Sequence, residues 1–178
     1  MLIGLLSDTH IAFPDQVLPA QIKDAFRGVE LILHAGDIWI PRVLDELESV
    51  APVLAAWGDD DMEEDLGGDI RMMKEPTLLL EGVTIWVQHI KPRYGLINPN
   101  EQSHSYSSLV NRKNQSPEDP PDVVVFGHSH FAEIENYKGV LLVNPGSSTL
   151  PTYIPRLGTV GLLTVNSGQA EARLVQLE

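Results

Sequence analysis

Cysteine is absent from the 178-residue chain. That excludes disulfides and thiolate ligation, so any metal must rest on His, Asp, Glu or Asn side chains, and it is compatible with a reducing cytoplasm. Basic residues are scarce: 12 Lys and Arg stand against 25 Asp and Glu, for a formal net charge of −13. Duplex nucleic acid requires a lysine or arginine footprint on its phosphates, and none is visible, so no duplex nucleic-acid partner is expected. Long apolar runs are also missing. The best candidate, residues 77–87, is interrupted by Glu81 and Gly82 and falls well short of a membrane span. The N-terminus is apolar for only six residues before Ser7 and Asp8, without a basic flank or cleavage site, which is too short for a signal peptide. These absences predict a soluble, cytoplasmic protein that does not meet a membrane.

Hydrophobic residues make up 43% of the chain and charged residues 21%, an ordinary globular balance. The length suits one domain spanning residues 1–178. Residues 1–6, 29–33 and 52–57 read as buried strands. Between them, 16–27 has helical spacing that places Val17, Ile22, Ala25 and Phe26 on one face. Residues 40–50 do the same for Val43, Leu44 and Leu47, with Pro41 in the first turn. Strand, helix and strand repeated twice predicts a right-handed parallel arrangement. The second half changes texture. Residues 77–80 with 83–88, 133–137 with 140–143, and 160–165 with 170–177 read as hairpins turned at Glu81-Gly82, Lys138-Gly139 and Ser167-Gly168. Residues 123–126 form one more buried strand. The expected fold is α/β, two mixed sheets packed face to face with helices outside.

The strand ends carry the chemistry. Asp8 and His10, Asp37, Asp59, His89, and His128 and His130 all follow strands, where an open α/β sheet binds ligands. If the chain stays extended, Asp8 and His10 share a face, as do His128 and His130. Oxygen and nitrogen donors without sulfur suit manganese, nickel, iron, zinc or cobalt. Seven donors exceed what one such ion takes and suit two ions, the apparatus of in-line displacement at phosphorus. Blander roles compete. Asp37 could be a helix N-cap. Residues 59–65 hold six acids in seven positions, which usually marks a solvated surface. His34 reads as a buried histidine in the core or behind the ligands, and His104 as a loop histidine. Asn144 reads as pinning its own turn. Arg93, Tyr94 and Arg112 are weak candidates for meeting a phosphate.

Asp8-x-His10, Gly36-Asp37, Gly58-Asp59, His89 and Gly127-His128-Ser129-His130, in that order, resemble the calcineurin-like metallophosphoesterase superfamily. The Asn144-Pro145-Gly146-Ser147 turn resembles its small bacterial and archaeal phosphodiesterase branch, to which the retromer scaffold subunit is related. The resemblance implies a metallophosphoesterase-like α/β sandwich. It also implies two divalent ions, manganese first, with nickel, iron, zinc, cobalt or magnesium as alternatives. Asp8, His10 and His130 would hold one ion and Asp59, His89 and His128 the other, with Asp37 bridging. A bridging hydroxide would then attack a small soluble phosphoester, most simply a phosphodiester. The alternative is a catalytically weak or inactive metal-binding scaffold of the same fold. Either is compatible with a homodimer. Two departures stand out. Asp59 occupies the family's asparagine position, adding a negative charge and removing an amide donor. Asp60 stands where many members carry a histidine that protonates the leaving group. Asp60 is the candidate catalytic acid, although nearby cations would keep it ionised. Ile90 replaces the glycine that usually follows the His89-type histidine.

Overall fold

Runs rich in Val, Ile and Leu become strands here because packed layers bury them on both faces. The computed structural model describes residues 1–13, 15–93 and 120–178. Three strands open the chain as parallel neighbours: β1 (Leu2–Leu6), β2 (Leu31–His34) and β3 (Val53–Ala56), connected through α1 (Gln21–Ala25) and α2 (Pro41–Glu48). After α3 (Glu63–Leu66), the short β4 (Met72–Met73) adds parallel to β3. A second sheet follows, made of β5 (Thr77–Leu80), β6 (Val83–Val87), β7 (Val123–Val125), β8 (Glu133–Tyr137) and β9 (Val140–Asn144). β10 (Thr159–Asn166) and β11 (Gln169–Gln176) return to the first sheet. The strand orders are β11-β10-β1-β2-β3-β4 and β5-β6-β7-β9-β8. The two-sheet α/β expectation is met. The three foreseen hairpins turn through two residues of positive φ, such as Glu81 at 50° and Gly82 at 80°, which matches the twist of the flanking strands.

Alternation along β1 divides the core. Ile3 and Leu5 point between the sheets, against Ile85 and Val87 of β6 and Val123 and Val125 of β7. Leu6 and Ile32 face the helical side, with Ile22, Phe26, Val43, Leu44 and Leu47. Gly4 is required on that side, because a Cβ there would lie 2.9 Å from the Phe26 ring.

Two local expectations are corrected. The helix read over 16–27 shrinks to Gln21–Ala25, and Val17 is exposed while Ile22 and Phe26 are buried. Pro19 disfavours helical geometry at Leu18, so the helix begins beyond it. Asp37 does not cap α2; the residue before Pro41 is Ile40, which makes no side-chain cap bond.

Parallel pairing positions the site. β1, β2 and β3 in one sheet, and β6, β7 and β9 in the other, send their C-terminal ends to one edge. A bridge between Ser7 and Ser147 ties the exits of β1 and β9 across the two sheets. Gly127 N–H donates to the His89 carbonyl at 2.8 Å, tying the exits of β7 and β6.

Candidate metal centre

The strands stop abruptly at the candidate residues. φ is positive at Asp8 (53°), His10 (43°), Asp37 (59°), His128 (68°) and His130 (60°). Left-handed backbone is uncommon for residues other than glycine and clusters where a site over-determines it. The expectation of an extended Asp8-x-His10 and His128-x-His130 therefore fails. The turns are held by hydrogen bonds: Asp8 N–H donates to the Gly36 carbonyl (3.0 Å) and His10 N–H to the Asp37 carbonyl (3.1 Å). His128 N–H donates to Asp8 Oδ1 at 2.9 Å. Space is as restricted as conformation, because a Cβ on Gly127 would lie 2.8 Å from Asp8 Oδ2.

All seven candidate ligands converge, in overlapping groups that also include Asp8 with Asp37 and His89, and His10 with Asp37 and Asp60. Asp8, His10 and His130 each offer a donor atom, all within 4.8 Å of one another, and Asp59, His89 and His128 do the same. His10 Nε2 and His130 Nε2 are 3.1 Å apart. Asp59 Oδ1 lies 2.7 Å from His89 Nε2 and 3.0 Å from His128 Nδ1. Asp37 stands between the groups, its Oδ2 at 3.4 Å from His10 Nε2 and 3.2 Å from His89 Nε2. Asp60 lies at the edge, with its Oδ2 3.9 Å from His10 Nδ1 and its N–H donating to Asp37 Oδ1 at 3.0 Å.

The donor set fits divalent cations on several counts. His89 Nδ1 donates to the Ala35 carbonyl at 2.8 Å and His130 Nδ1 to the Leu150 carbonyl at 2.8 Å, which turns each Nε2 toward the centre. Asp8 Oδ2 and His89 Nε2 are buried and lack an aligned hydrogen-bond partner among the described residues. His89 Nε2 is close to two carboxylates without that alignment, so proximity and bonding disagree. Convergence on a common point accounts for both. An unsatisfied buried charged oxygen costs more than the roughly 1–3 kcal/mol of a neutral group, and a cation removes that cost.

Electrostatics follow from the same packing. Burial raises the Asp8 carboxyl above its ordinary range, against the pull of Ser7 and the nearby histidines. Burial would also raise Asp37, but His89, the Asp60 peptide N–H and His10 together hold it low. Burial lowers His10 despite the Asp37 charge, which leaves a neutral imidazole suited to ligation. Burial opposes charge on His89 as well, yet Asp37, the Ala35 carbonyl and Asp8 outweigh it and push its pKa up to about 9. A proton therefore competes with a cation at His89.

The supporting residues were only partly foreseen. Asp61, read as one of a solvated acidic run, receives four peptide N–H groups: Ile38 (2.7 Å) and Trp39 (2.9 Å) on Oδ1, Asp37 (3.0 Å) and Gly58 (2.8 Å) on Oδ2. It fixes the loop that carries Asp37. Spacing could not reveal this, though its place after Gly58-Asp59-Asp60 was a signal that one acid of the run faces inward. Asn144 pins its own turn through Gly146 N–H (2.8 Å), and also donates to the Gly127 carbonyl (3.0 Å) and Ser129 Oγ (3.1 Å) beside His128. Tyr153 was missed. It stacks on His130 with centroids 4.2 Å apart, and its hydroxyl donates to the His128 carbonyl at 3.2 Å. His34 is fully buried, with Nε2 3.2 Å from Thr9 Oγ1, and burial lowers its pKa to about 3. Arg93 is exposed, as is Ile90, whereas Tyr94, His104 and Arg112 lie outside the described residues.

Comparison with known proteins identifies the family. Residues 1–168 match the model of the calcineurin-like phosphoesterase superfamily domain. A probable metallophosphoesterase of Methanothermobacter thermautotrophicus is 32% identical over 176 residues, 99% of this chain and 92% of that protein. A phosphodiesterase of Methanocaldococcus jannaschii is 26% identical, with both chains covered in full. Among solved structures, zinc-complexed Vps29 of Entamoeba histolytica superposes with a TM-score of 0.65 at 18% identity, again over both full chains. At that identity the likeness speaks for the fold alone.

Proposed function

The chain belongs to the calcineurin-like phosphoesterase superfamily, and from that premise we propose that it is a two-metal phosphodiesterase of small substrates. The observation that carries this is Asp37 Oδ2, within 3.4 Å of His10 Nε2 and 3.2 Å of His89 Nε2, where one carboxylate can serve two ions. Asp8, His10 and His130 would hold one ion, and Asp59, His89 and His128 the other. Bound divalent cations supply Lewis acidity at the phosphoryl oxygens and lower the pKa of the attacking water.

The chain's own residues do the rest. The tautomers of His89 and His130 are fixed by the Ala35 and Leu150 carbonyls, so their Nε2 lone pairs face inward. His128 and Asp59, each with half its side chain exposed, form the side open to substrate. Asp60, whose Oδ2 is 3.9 Å from His10 Nδ1, stands where the resemblance expects a histidine that protonates the leaving group, so that imidazole donor is missing. Good leaving groups should therefore turn over far faster than poor ones. The test is hydrolysis of bis(p-nitrophenyl) phosphate with Mn²⁺ or Ni²⁺. Turnover should exceed that of the double variant Asp37→Ala, His128→Ala; equal rates would overturn the proposal.

A weakly active scaffold is the second reading, favoured by Asp59 itself. Three carboxylates, Asp8, Asp37 and Asp59, would neutralise more of the metal charge than two and repel an anionic substrate.

A further inference from the structure

A cavity of about 230 Å³ adjoins the centre, lined by Ala12, Trp39, Ile40, Asp60, Met62 and Asp65. It connects to the proposed chemistry through His10, whose ring meets the Trp39 ring edge-on at 5.2 Å and whose Nδ1 is 3.9 Å from Asp60 Oδ2. Resting on the phosphodiesterase reading, we propose that this cavity receives one substituent of the diester and selects a substituent carrying an alkylammonium group.

The chemistry of the walls makes the choice. Ile40, Met62 and Ala12 are apolar, Trp39 offers an indole, and the charged lining groups are the carboxylates of Asp60 and Asp65. An aromatic ring beside carboxylates attracts a cation whose methyl or methylene shell also fits apolar contacts. An anionic substituent would meet only repulsion. A neutral aliphatic one would forgo both the indole and the carboxylates. Trp39 is also placed firmly: its backbone sits at φ 80°, unusual for a bulky residue, with its N–H held by Asp61 Oδ1 at 2.9 Å. A second cavity, of about 520 Å³, reaches His10 as well but differs in charge. Its lining includes Arg156 and no carboxylate among the described residues.

The inference also assigns work to the acidic run. Asp60 stands where a leaving-group acid is expected, and together with Asp65 it instead supplies charge complementarity to the substrate.

Two measurements test this. Metal-free protein is titrated with choline and with its neutral isostere 3,3-dimethylbutanol, following tryptophan fluorescence, with Trp39→Phe as the reporter control. Choline should bind about tenfold more tightly than the alcohol, a preference set by cation–π and carboxylate attraction. The preference should weaken in high salt and vanish in Asp65→Asn, which keeps the Trp39 reporter. In the second, the Mn²⁺-loaded protein is given p-nitrophenyl phosphorylcholine and p-nitrophenyl 3,3-dimethylbutyl phosphate. A kcat/KM ratio near ten that falls to about one in Asp65→Asn is expected. Equal binding of choline and the alcohol, or equal rates on the two diesters, overturns the cavity assignment and leaves the hydrolase standing. Choline binding without turnover of any diester keeps the cavity assignment and overturns the hydrolase.

Discussion

Asp8, His10 and His130 show 0%, 10% and 3% of their side chains to solvent, whereas Asp59 and His128 on the other side of Asp37 each show 50%. The sealed group is assembled by the exits of β1 and β7, which share a hydrogen bond from His128 N–H to Asp8 Oδ1. Its geometry is set by the fold. The open group depends on a loop carboxylate, Asp59, that gathers His89 and His128 around one oxygen. On this second side His89 is also buried and held by the Ala35 carbonyl, and the openness belongs to Asp59 and His128. Asp59, one of the two departures that the resemblance singles out, falls on the second side, and Asp60 lies beside His10 of the first.

The largest effect should come from the residue both sides share. Asp37→Ala removes the carboxylate that lies within 3.4 Å of both His10 and His89, and metal stabilisation worth several kcal/mol is lost. Diesterase activity should fall about a thousandfold or more, and elemental analysis should show both ions depleted. Loss of one ion only would mean that Asp37 belongs to one group. Next comes Asp61→Ala, which leaves four peptide N–H groups without their acceptor. Losing hydrogen bonds to a charged group should cost about 2–3 kcal/mol, a fall in Tm of roughly 4–10 °C by calorimetry. Both metal groups should weaken with it, because the loop carries Asp37.

The pH dependence should separate free and loaded protein. His89 has its folded pKa raised to about 9, so its contribution to metal-free stability is complete below pH 6.5 and is lost as pH rises through about 9. His10 and His34 are lowered, His34 to about 3, so their contribution is lost as pH falls below 6.5. From these groups, the metal-free protein should be most stable near pH 6.5. Metal affinity should instead rise from pH 6.5 to 9 as His89 gives up its proton. Thermal melts and metal titrations across that window check both slopes, and affinity that stays flat would remove His89 from the ligands. The smallest expected effect is Asp59→Asn. Restoring an amide donor and removing one negative charge should raise diesterase activity several-fold. No change in rate or metal content would place Asp59 outside the coordination sphere.

The convergence of the candidate residues at strand ends and the hairpins were legible because each rests on short local patterns, such as Glu81-Gly82 or Gly127-His128-Ser129-His130. The helix over 16–27 was misread because Val17 kept the apolar period while Pro19 forbade the backbone. Asp61 and Tyr153 were invisible for another reason. Asp61 lies in an acidic run that looks solvated, and Tyr153 reaches His130 only because Thr152 and Tyr153 take φ of 54° and 58°. Neither geometry is written in the residue types. The division of His128 and His130 between groups depended on the family resemblance, since an extended chain would have paired them.

The proposed centre requires two ions sharing Asp37, and an anomalous-scattering map of crystals loaded with Mn²⁺ tests that directly. Two peaks are expected, one among Asp8, His10 and His130 and one among Asp59, His89 and His128, with Asp37 touching both. A single peak, no peak, or a pair that leaves Asp37 uncoordinated would contradict it.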